Sequence, residues 1–422
     1  MKLNRILSFL KGEFFVLVAL TIVGGLANLG TQAALALFLT PEQLGRLASI
    51  LSMAYIFVPI ASFGIYGVWV RLFAENDSAL ADFVGAGLKW LFIASTLCYI
   101  IFAIIGFFRE AASIYALLGL TIVARALQEA AGGAHQAEQN YRSFALLQCW
   151  PYILRICVVF SIGPALQILG MSPFFAFSIG QGIFAAILIS LCVIDLRRFN
   201  KRYKSQRIGL TRFGDIFRRS NPFILSSLLF VAYTNAGVII TSHFAGFADA
   251  GRYALASSVA MGGFMLSSVI YQRYLQPRMF RWRVEDRLRF VNTVKKGTLF
   301  NIILSGSLLI FFFLISKYLI YIFSDEYAEA ANIIAAFGVV VALRCIASHF
   351  SVALVRHEDL KYRSRFQLYG FAFVIPAMIL GAASIGALGV VYASIFYEGF
   401  MLISYSIRAW ALVSVMAEGR DT

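Results

Sequence analysis

FALLQCWPYILRICVVFSIGPAL, Phe144–Leu166, is an apolar run that carries a single charge, Arg155. A run of ~20 apolar residues crosses the ~30 Å hydrocarbon layer of a bilayer as an α-helix. A guanidinium held at mid-span costs about 2.5–3.5 kcal/mol on insertion scales. Such a group turns inward, toward another charge or a wet cavity. The pattern recurs: Arg125 and Glu129 lie in Ala111–Gly133, Arg344 in Ala330–Leu354 and Glu398 in Leu388–Leu412. Several charges at that depth mark a polar path inside a membrane, so transport is the first function class to consider.

The composition points the same way. Of 422 residues, 60% are hydrophobic and only 14% charged, and the mean hydropathy is +0.80. A soluble chain carries about 25% charged residues, so this one has too little charge to cover a soluble surface. A net charge of +15 would suggest nucleic acid in a soluble protein. Here the basic residues gather in alternate loops, as the positive-inside rule describes, and no nucleic-acid partner is expected.

About twelve spans meet the length criterion. They are Phe14–Leu39, Leu44–Phe73, Val84–Phe108, Ala111–Gly133, Phe144–Leu166, Pro173–Ile194, Pro222–Gly246, Arg252–Gln272, Thr298–Phe323, Ala330–Leu354, Phe366–Ile385 and Leu388–Leu412. The fourth and eighth are the least apolar. Lys2, Arg5 and Lys11 precede the first span as in a signal peptide, but the span is too long for an h-region and reads as a retained helix. The basic stretches Lys2–Lys11, Arg197–Arg219, Arg273–Lys296 and Arg356–Arg365 fall on one side; the opposite loops hold only Arg46, Arg109, Arg252 and Lys317. That asymmetry places both termini in the cytoplasm.

RRFNKRYKSQRIGLTRFGDIFRRSN, Arg197–Asn221, is the longest polar stretch and divides the chain. It separates residues 1–196 from 222–422, six spans each, with 197–221 as a basic cytoplasmic connector. Its Phe199, Ile208, Leu210, Phe213, Ile216 and Phe217 suggest an amphipathic helix on the inner leaflet. A weak repeat relates the halves: Gly45-Arg46-Leu47-Ala48-Ser49 matches Gly251-Arg252-Tyr253-Ala254-Leu255, an offset of 206 residues. Two equal lobes are a transporter architecture. The expected fold is an all-α polytopic membrane protein, about 12 transmembrane helices in two six-helix lobes around a central cleft.

Motifs for catalysis are missing from the sequence. There is no GxxxxGK[ST] loop for ATP, no HExxH, no EF-hand and no DxD pair. Cys98, Cys149, Cys157, Cys192 and Cys345 form no CxxC or His-containing cluster, so neither a zinc site nor a disulfide framework is expected. No cofactor and no metal are expected. The outer loops are short, which weighs against a membrane-embedded glycosyltransferase or polymerase. The chain reads as no enzyme.

The mid-span charges are the candidate site. Arg125 and Glu129, spaced i, i+4, share a helix face and form either a self-neutralising pair or part of a cavity wall. Arg155 has no carboxylate within a turn and is the best single anion contact. Arg344 has none either, but Glu398 sits at similar depth and is its alternative partner. Arg71 and Lys89 lie near span ends and snorkel. His243 and His349 read as core histidines, and His349 is also a candidate proton carrier with Glu129 and Glu398, since histidine titrates near neutral pH. Asn28, Thr31 and Gln32 make a polar stripe on the first span. Tyr233, Thr234 and Asn235 lie at mid-depth of the seventh. The candidate substrate contacts are Arg125, Arg155, Arg344, Asn28, Gln32 and Asn235.

FLTPEQLGRLASILSMAYIFVPIASFGIYGVWVRLFAE (Phe38–Glu75), GAHQAEQNYRSFALLQ (Gly133–Gln148), FAGFADAGRYALASS (Phe244–Ser258) leading to Pro277, and IYIFSDEYAEAA (Ile320–Ala331) together resemble polysaccharide flippases of the Wzx type. These belong to the multidrug/oligosaccharidyl-lipid/polysaccharide exporter superfamily. The resemblance covers most of the chain and rests on the set of motifs. It implies two six-helix bundles forming a V-shaped cleft. It implies flipping of an undecaprenyl-pyrophosphate-linked oligosaccharide across the bacterial inner membrane, for O-antigen, capsule or exopolysaccharide synthesis. It further implies a cationic cavity, alternating access, coupling to protons or sodium, contact with membrane lipids, and a polysaccharide polymerase and chain-length regulator as candidate partners. Asn235 stands where many relatives carry an acid. The rival within the superfamily is an ion-coupled drug exporter, which would prefer a carboxylate-dominated cavity; three mid-span arginines against two glutamates weigh against it.

Overall fold

A computed structural model describes residues 2–74, 80–138, 140–203, 213–319, 327–354 and 357–417. It is helical throughout. The helices are α1 (Lys2–Phe38), α2 (Pro41–Ala61), α3 (Ile65–Ala74), α4 (Leu80–Phe108), α5 (Ala112–Ala137), α6 (Tyr141–Ile168) and α7 (Pro173–Arg202). Then follow α8 (Phe213–Phe244), α9 (Phe247–Ser267), α10 (Gln276–Glu285), α11 (Arg287–Leu319), α12 (Ala330–Ser351), α13 (His357–Ile385) and α14 (Ala387–Ala417). A π-helical segment, Ser268–Leu275, joins α9 to α10. Helices are what lipid permits, because each backbone N–H and C=O must be satisfied inside the segment.

The expected spans fall on these helices to within a few residues; Ile320–Phe323, the end of the ninth, lies outside the described residues. Among the described residues, nine helical stretches are long and apolar enough to cross a membrane, and Ile22–Phe38 adds a shorter one. The second span differs from the expectation. It is two helices, α2 and α3, broken at Phe63 and Gly64, both with left-handed backbone (φ 53° and 59°). Pro59 weakens the last turn of α2. A side chain at Gly64 would also meet the Ser220 carbonyl at 2.9 Å.

By backbone contacts the chain forms two compact units. One comprises Met1–Leu39 and Arg46–Ile239; the other Thr40–Gly45 and Ile240–Thr422. In the first, α5 is the central helix, packed against α3, α4, α6 and α7. Its Ala124, Ala126, Ala130, Ala131, Gly132 and Gly133 are buried. Small residues let helix backbones approach closely in lipid, where association rests on packing rather than on water exclusion. That explains why α5 reads as one of the less apolar spans: it touches protein, not lipid. In the second unit α12 takes the same place, against α9, α11 and α14.

The repeated sequence segments meet inside the second unit. Gly45, in the first turn of α2, abuts the start of α9: a Cβ there would lie 1.8 Å from the Phe247 carbonyl. A Cβ on Gly251 would lie 2.0 Å from the Pro41 carbonyl and 3.1 Å from the Gly45 nitrogen. Both positions open the repeated GR motif, so equivalent glycines form one backbone crossing that admits no side chain.

The expected amphipathic helix in 197–221 is corrected in part. Phe199 is not interfacial; it is buried at the end of α7, with its ring 5.1 Å from Trp69. Ile216 is buried too, while Phe217 is exposed. Ile208 and Leu210 lie outside the described residues.

Candidate functional site

In the first unit, α5 and α6 bring two arginines together. Arg155 is buried, 4% exposed. Its Nε donates to Gln181 Oε1 on α7 at 3.0 Å, and Gln181 Nε2 donates onward to Thr121 Oγ1 on α5 at 3.3 Å. Arg125 is half-buried and donates from Nη1 to Gln128 Oε1 at 2.8 Å, while Gln128 Nε2 donates to the Leu147 carbonyl at 3.0 Å. Its guanidinium sits 5.3 Å from the centroid of the Tyr152 ring. Both guanidiniums lie within electrostatic reach of each other and of the Tyr55 hydroxyl.

Neutral oxygens therefore hold both charges. Among the described residues, neither arginine takes part in an ion pair. Glu129, one turn from Arg125, sits beside the Ser62 hydroxyl at the α2–α3 break. Two cations and one carboxylate share the region, so a positive charge is left over. Amide and hydroxyl acceptors orient a guanidinium without cancelling its charge. An incoming anion thus meets fixed donors and needs no ion pair to break first.

α1 runs against α6. Gly24 and Gly30 allow the approach, at Cys149 and Tyr152 and at Ile156 respectively. The polar stripe on α1 divides: Thr31 is fully buried and donates to the Ala27 carbonyl at 2.8 Å, while Asn28 and Gln32 are half-buried. Asn235, on α8, donates from Nδ2 to the Val231 carbonyl at 2.8 Å. α8 up to Ile239 groups with the first unit by contacts.

The second unit is arranged differently. Arg344 Nη1 lies 3.2 Å from Glu398 Oε1, the two side chains being 14% and 4% exposed. The guanidinium also lies 4.4 Å from the Phe264 ring centroid. Of the two roles open to Arg344 in the sequence, the structure realises the interhelical pair. His349 is buried, and its Nε2 lies 3.1 Å from the Val294 carbonyl and 3.3 Å from Thr298 Oγ1. Among the described residues its Nδ1 has no hydrogen-bond partner. Gly297 leaves room for this imidazole, since a Cβ there would lie 2.5 Å from Cε1.

Other polar groups were not singled out by the sequence. Tyr152, Gln128, Gln181 and Thr121 surround the two arginines; Thr121 and Gln128 lie within a turn of Arg125 and Tyr152 within a turn of Arg155, whereas Gln181 has no local signal. His135 Nε2 lies 2.6 Å from Asp195 Oδ2 across α5 and α7. Asp359, 1% exposed, accepts from Arg283 Nη1 at 2.5 Å and from Arg408 Nε and Nη2 at 3.1 and 3.0 Å. This triad ties α10, α13 and α14 together. The five cysteines are free, and no group of three or more potential ligands fit to hold a metal ion occurs among the described residues.

The fold is that of the MATE transporters and of the lipid II flippase MurJ. A MATE multidrug transporter, DinF-BH, superposes with a TM-score of 0.72 at 16% identity, covering 96% of this chain and 95% of its own. The Vibrio cholerae MATE transporter VcmN, in its bent form, gives 0.66 at 12% identity, covering 98% of this chain and 99% of its own. MurJ in an inward closed conformation gives 0.66 at 12% identity, covering 97% of this chain and 93% of its own. No curated protein matches the sequence. The model of the polysaccharide biosynthesis protein family matches residues 10–282, and the chain belongs to that family. Family and fold together support a flippase or an exporter.

Proposed function

We propose that the protein flips a lipid-linked, anionic oligosaccharide, carried on undecaprenyl pyrophosphate, across the bacterial inner membrane for polysaccharide synthesis. The observation that carries this reading is the Arg125–Arg155 region, where two cations inside membrane-spanning helices are held by neutral oxygens. A pyrophosphate head cannot cross hydrocarbon without replacing its lost water. Guanidinium binds phosphate through two parallel hydrogen bonds, which makes it a fitting replacement. Asn28 and Gln32 on α1 and Asn235 on α8 supply amides for sugar hydroxyls. Arg344 contributes less, because Glu398 already neutralises it. The MurJ likeness supports a lipid-linked substrate, and family membership supports a glycan. A polysaccharide polymerase and its chain-length regulator are the partners that would use the product.

The drug-exporter reading draws on the MATE likenesses, but a cationic drug would be repelled by the positive charge left over in the Arg125–Arg155 region. The deciding experiment uses purified protein in proteoliposomes loaded with undecaprenyl-pyrophosphate oligosaccharide. Transfer of the glycan to the far leaflet is expected, measured by access of an added glycosidase. Absence of transfer together with export of a cationic dye would overturn the proposal. The same assay with an imposed pH gradient tests Glu129, Glu398 and His349 as proton carriers. Coupling that survives Glu129→Gln, Glu398→Gln and His349→Gln would dismiss all three.

The basic-loop asymmetry orients the chain with both termini in the cytoplasm. In a background without native cysteines, cysteines placed at Lys201 and Lys361 should resist an impermeant thiol reagent in intact cells. Cysteines at Arg109 and Met171 should react. Labelling of position 201 or 361 from outside would reverse the orientation.

A further inference from the structure

α11 is polar and charged in its first turns and apolar beyond them, and one of its faces carries that change. Arg289, Thr293 and Lys296 lead that face; Phe300, Ile303, Ser307 and Ile310 continue it. The spacing of three and four residues keeps them in one stripe. Phe300, Ile303 and Ile310 are 59%, 62% and 62% exposed. At the charged end lies an open surface groove of about 690 Å³, lined by Asp286, Arg289, Asn292, Thr293, Lys296 and Phe300.

The groove walls are held in place. The Arg289 guanidinium lies 4.5 Å from the Trp282 ring centroid on α10, a contact that keeps it at the membrane boundary. Asp286 Oδ1 accepts from the Arg289 backbone N–H at 3.0 Å and so caps the helix. Thr293 Oγ1 donates to the Arg289 carbonyl at 2.7 Å. Arg289 and Lys296 against Asp286 leave the lining with one net positive charge. Charged and apolar stretches adjoin on a single helix face, which is the profile of a lipid: a polar head above, chains below.

We infer that this groove binds the phosphodiester headgroup of an anionic glycerophospholipid, with an acyl chain along Phe300, Ile303 and Ile310. One net positive charge matches a phosphodiester monoanion; a pyrophosphate, with two or three negative charges, would remain uncompensated. The headgroup phosphate takes Arg289 and Lys296 as donors, and Asn292 and Thr293 face the glycerol oxygens. Basic pockets at the membrane boundary bind lipid headgroups by this combination. The site lies wholly in the second unit and does not depend on what the protein transports.

The test uses purified full-length protein in detergent, with bound lipid counted by native mass spectrometry. Phosphatidylglycerol should be retained over phosphatidylcholine by about thirtyfold, as two boundary cations imply. Arg289→Gln with Lys296→Gln should bring the ratio to parity. Arg289→Lys with Lys296→Arg should keep the preference. Lys295→Gln with Lys361→Gln, an equal charge loss at exposed positions outside the groove, should keep it too. If the first pair does not fold, Lys296→Gln alone carries the comparison. Equal retention of both lipids by the native protein overturns the inference. So does an equal loss in the control pair, or displacement of phosphatidylglycerol by equimolar undecaprenyl phosphate or inorganic phosphate.

Discussion

Arg155→Ala is expected to stop glycan transfer while the protein still inserts. The residue is buried in the first unit and donates to Gln181, and among the described residues it has no ion-pair partner. Hydrogen bonds to a charged group contribute about 1.5–3 kcal/mol, so losing the phosphate contact should slow transfer by roughly 10- to 150-fold. Arg155→Lys keeps the charge but not the planar fork and should retain part of the activity. Arg155→Glu should be inactive. Alanine also leaves Gln181 without its donor, which lowers stability by itself. Gln181→Glu separates the two effects. It preserves shape and the acceptor for Arg155, turns Thr121 from acceptor to donor, and gives Arg155 a local carboxylate, so the melting temperature should hold or rise while transfer falls. Normal transfer by Arg155→Ala at native protein level, in the proteoliposome assay, would make the residue structural.

Asp359→Ala is expected to have the largest effect on stability. The carboxylate is 1% exposed and joins Arg283, itself 4% exposed, to Arg408. Removing one partner of a buried pair costs about 3–5 kcal/mol, because the remaining charge stays buried and uncompensated. Asp359 also sits in the first turn of α13, where a negative charge favours the helix N-terminus. The variant should melt well below the native protein in detergent. Replacing the pair together, Arg283→Met with Asp359→Leu, should be milder, since Arg408 is 35% exposed and can reach water. A native melting temperature for Asp359→Ala, or a worse one for the double variant, would show that the triad does not hold α10 to α13 and α14.

Much of this was legible in the sequence. Hydrophobic length is a local property, and lipid forces each apolar run of that length into a helix. The helical spans and the GR repeat could therefore be read without coordinates. The mid-span charges were equally visible, because a guanidinium among leucines and phenylalanines stands out whatever surrounds it in space. The break at Phe63 and Gly64 was not visible, since Leu44–Phe73 is apolar across it and the cause lies partly in Ser220, far along the chain.

What each charge touches was decided by tertiary structure alone. Arg155 and Arg344 look alike in sequence: each is mid-span with no acid within a turn. Packing gives Arg344 the carboxylate of Glu398 and gives Arg155 the amide of Gln181. One arginine is neutralised and the other keeps its charge. Phe199 shows the same limit, reading as part of an interfacial helix yet packing on Trp69. Helix periodicity fixes which residues share a face, but not which neighbouring helix that face will meet. Contacts between helices distant in sequence set the charge balance.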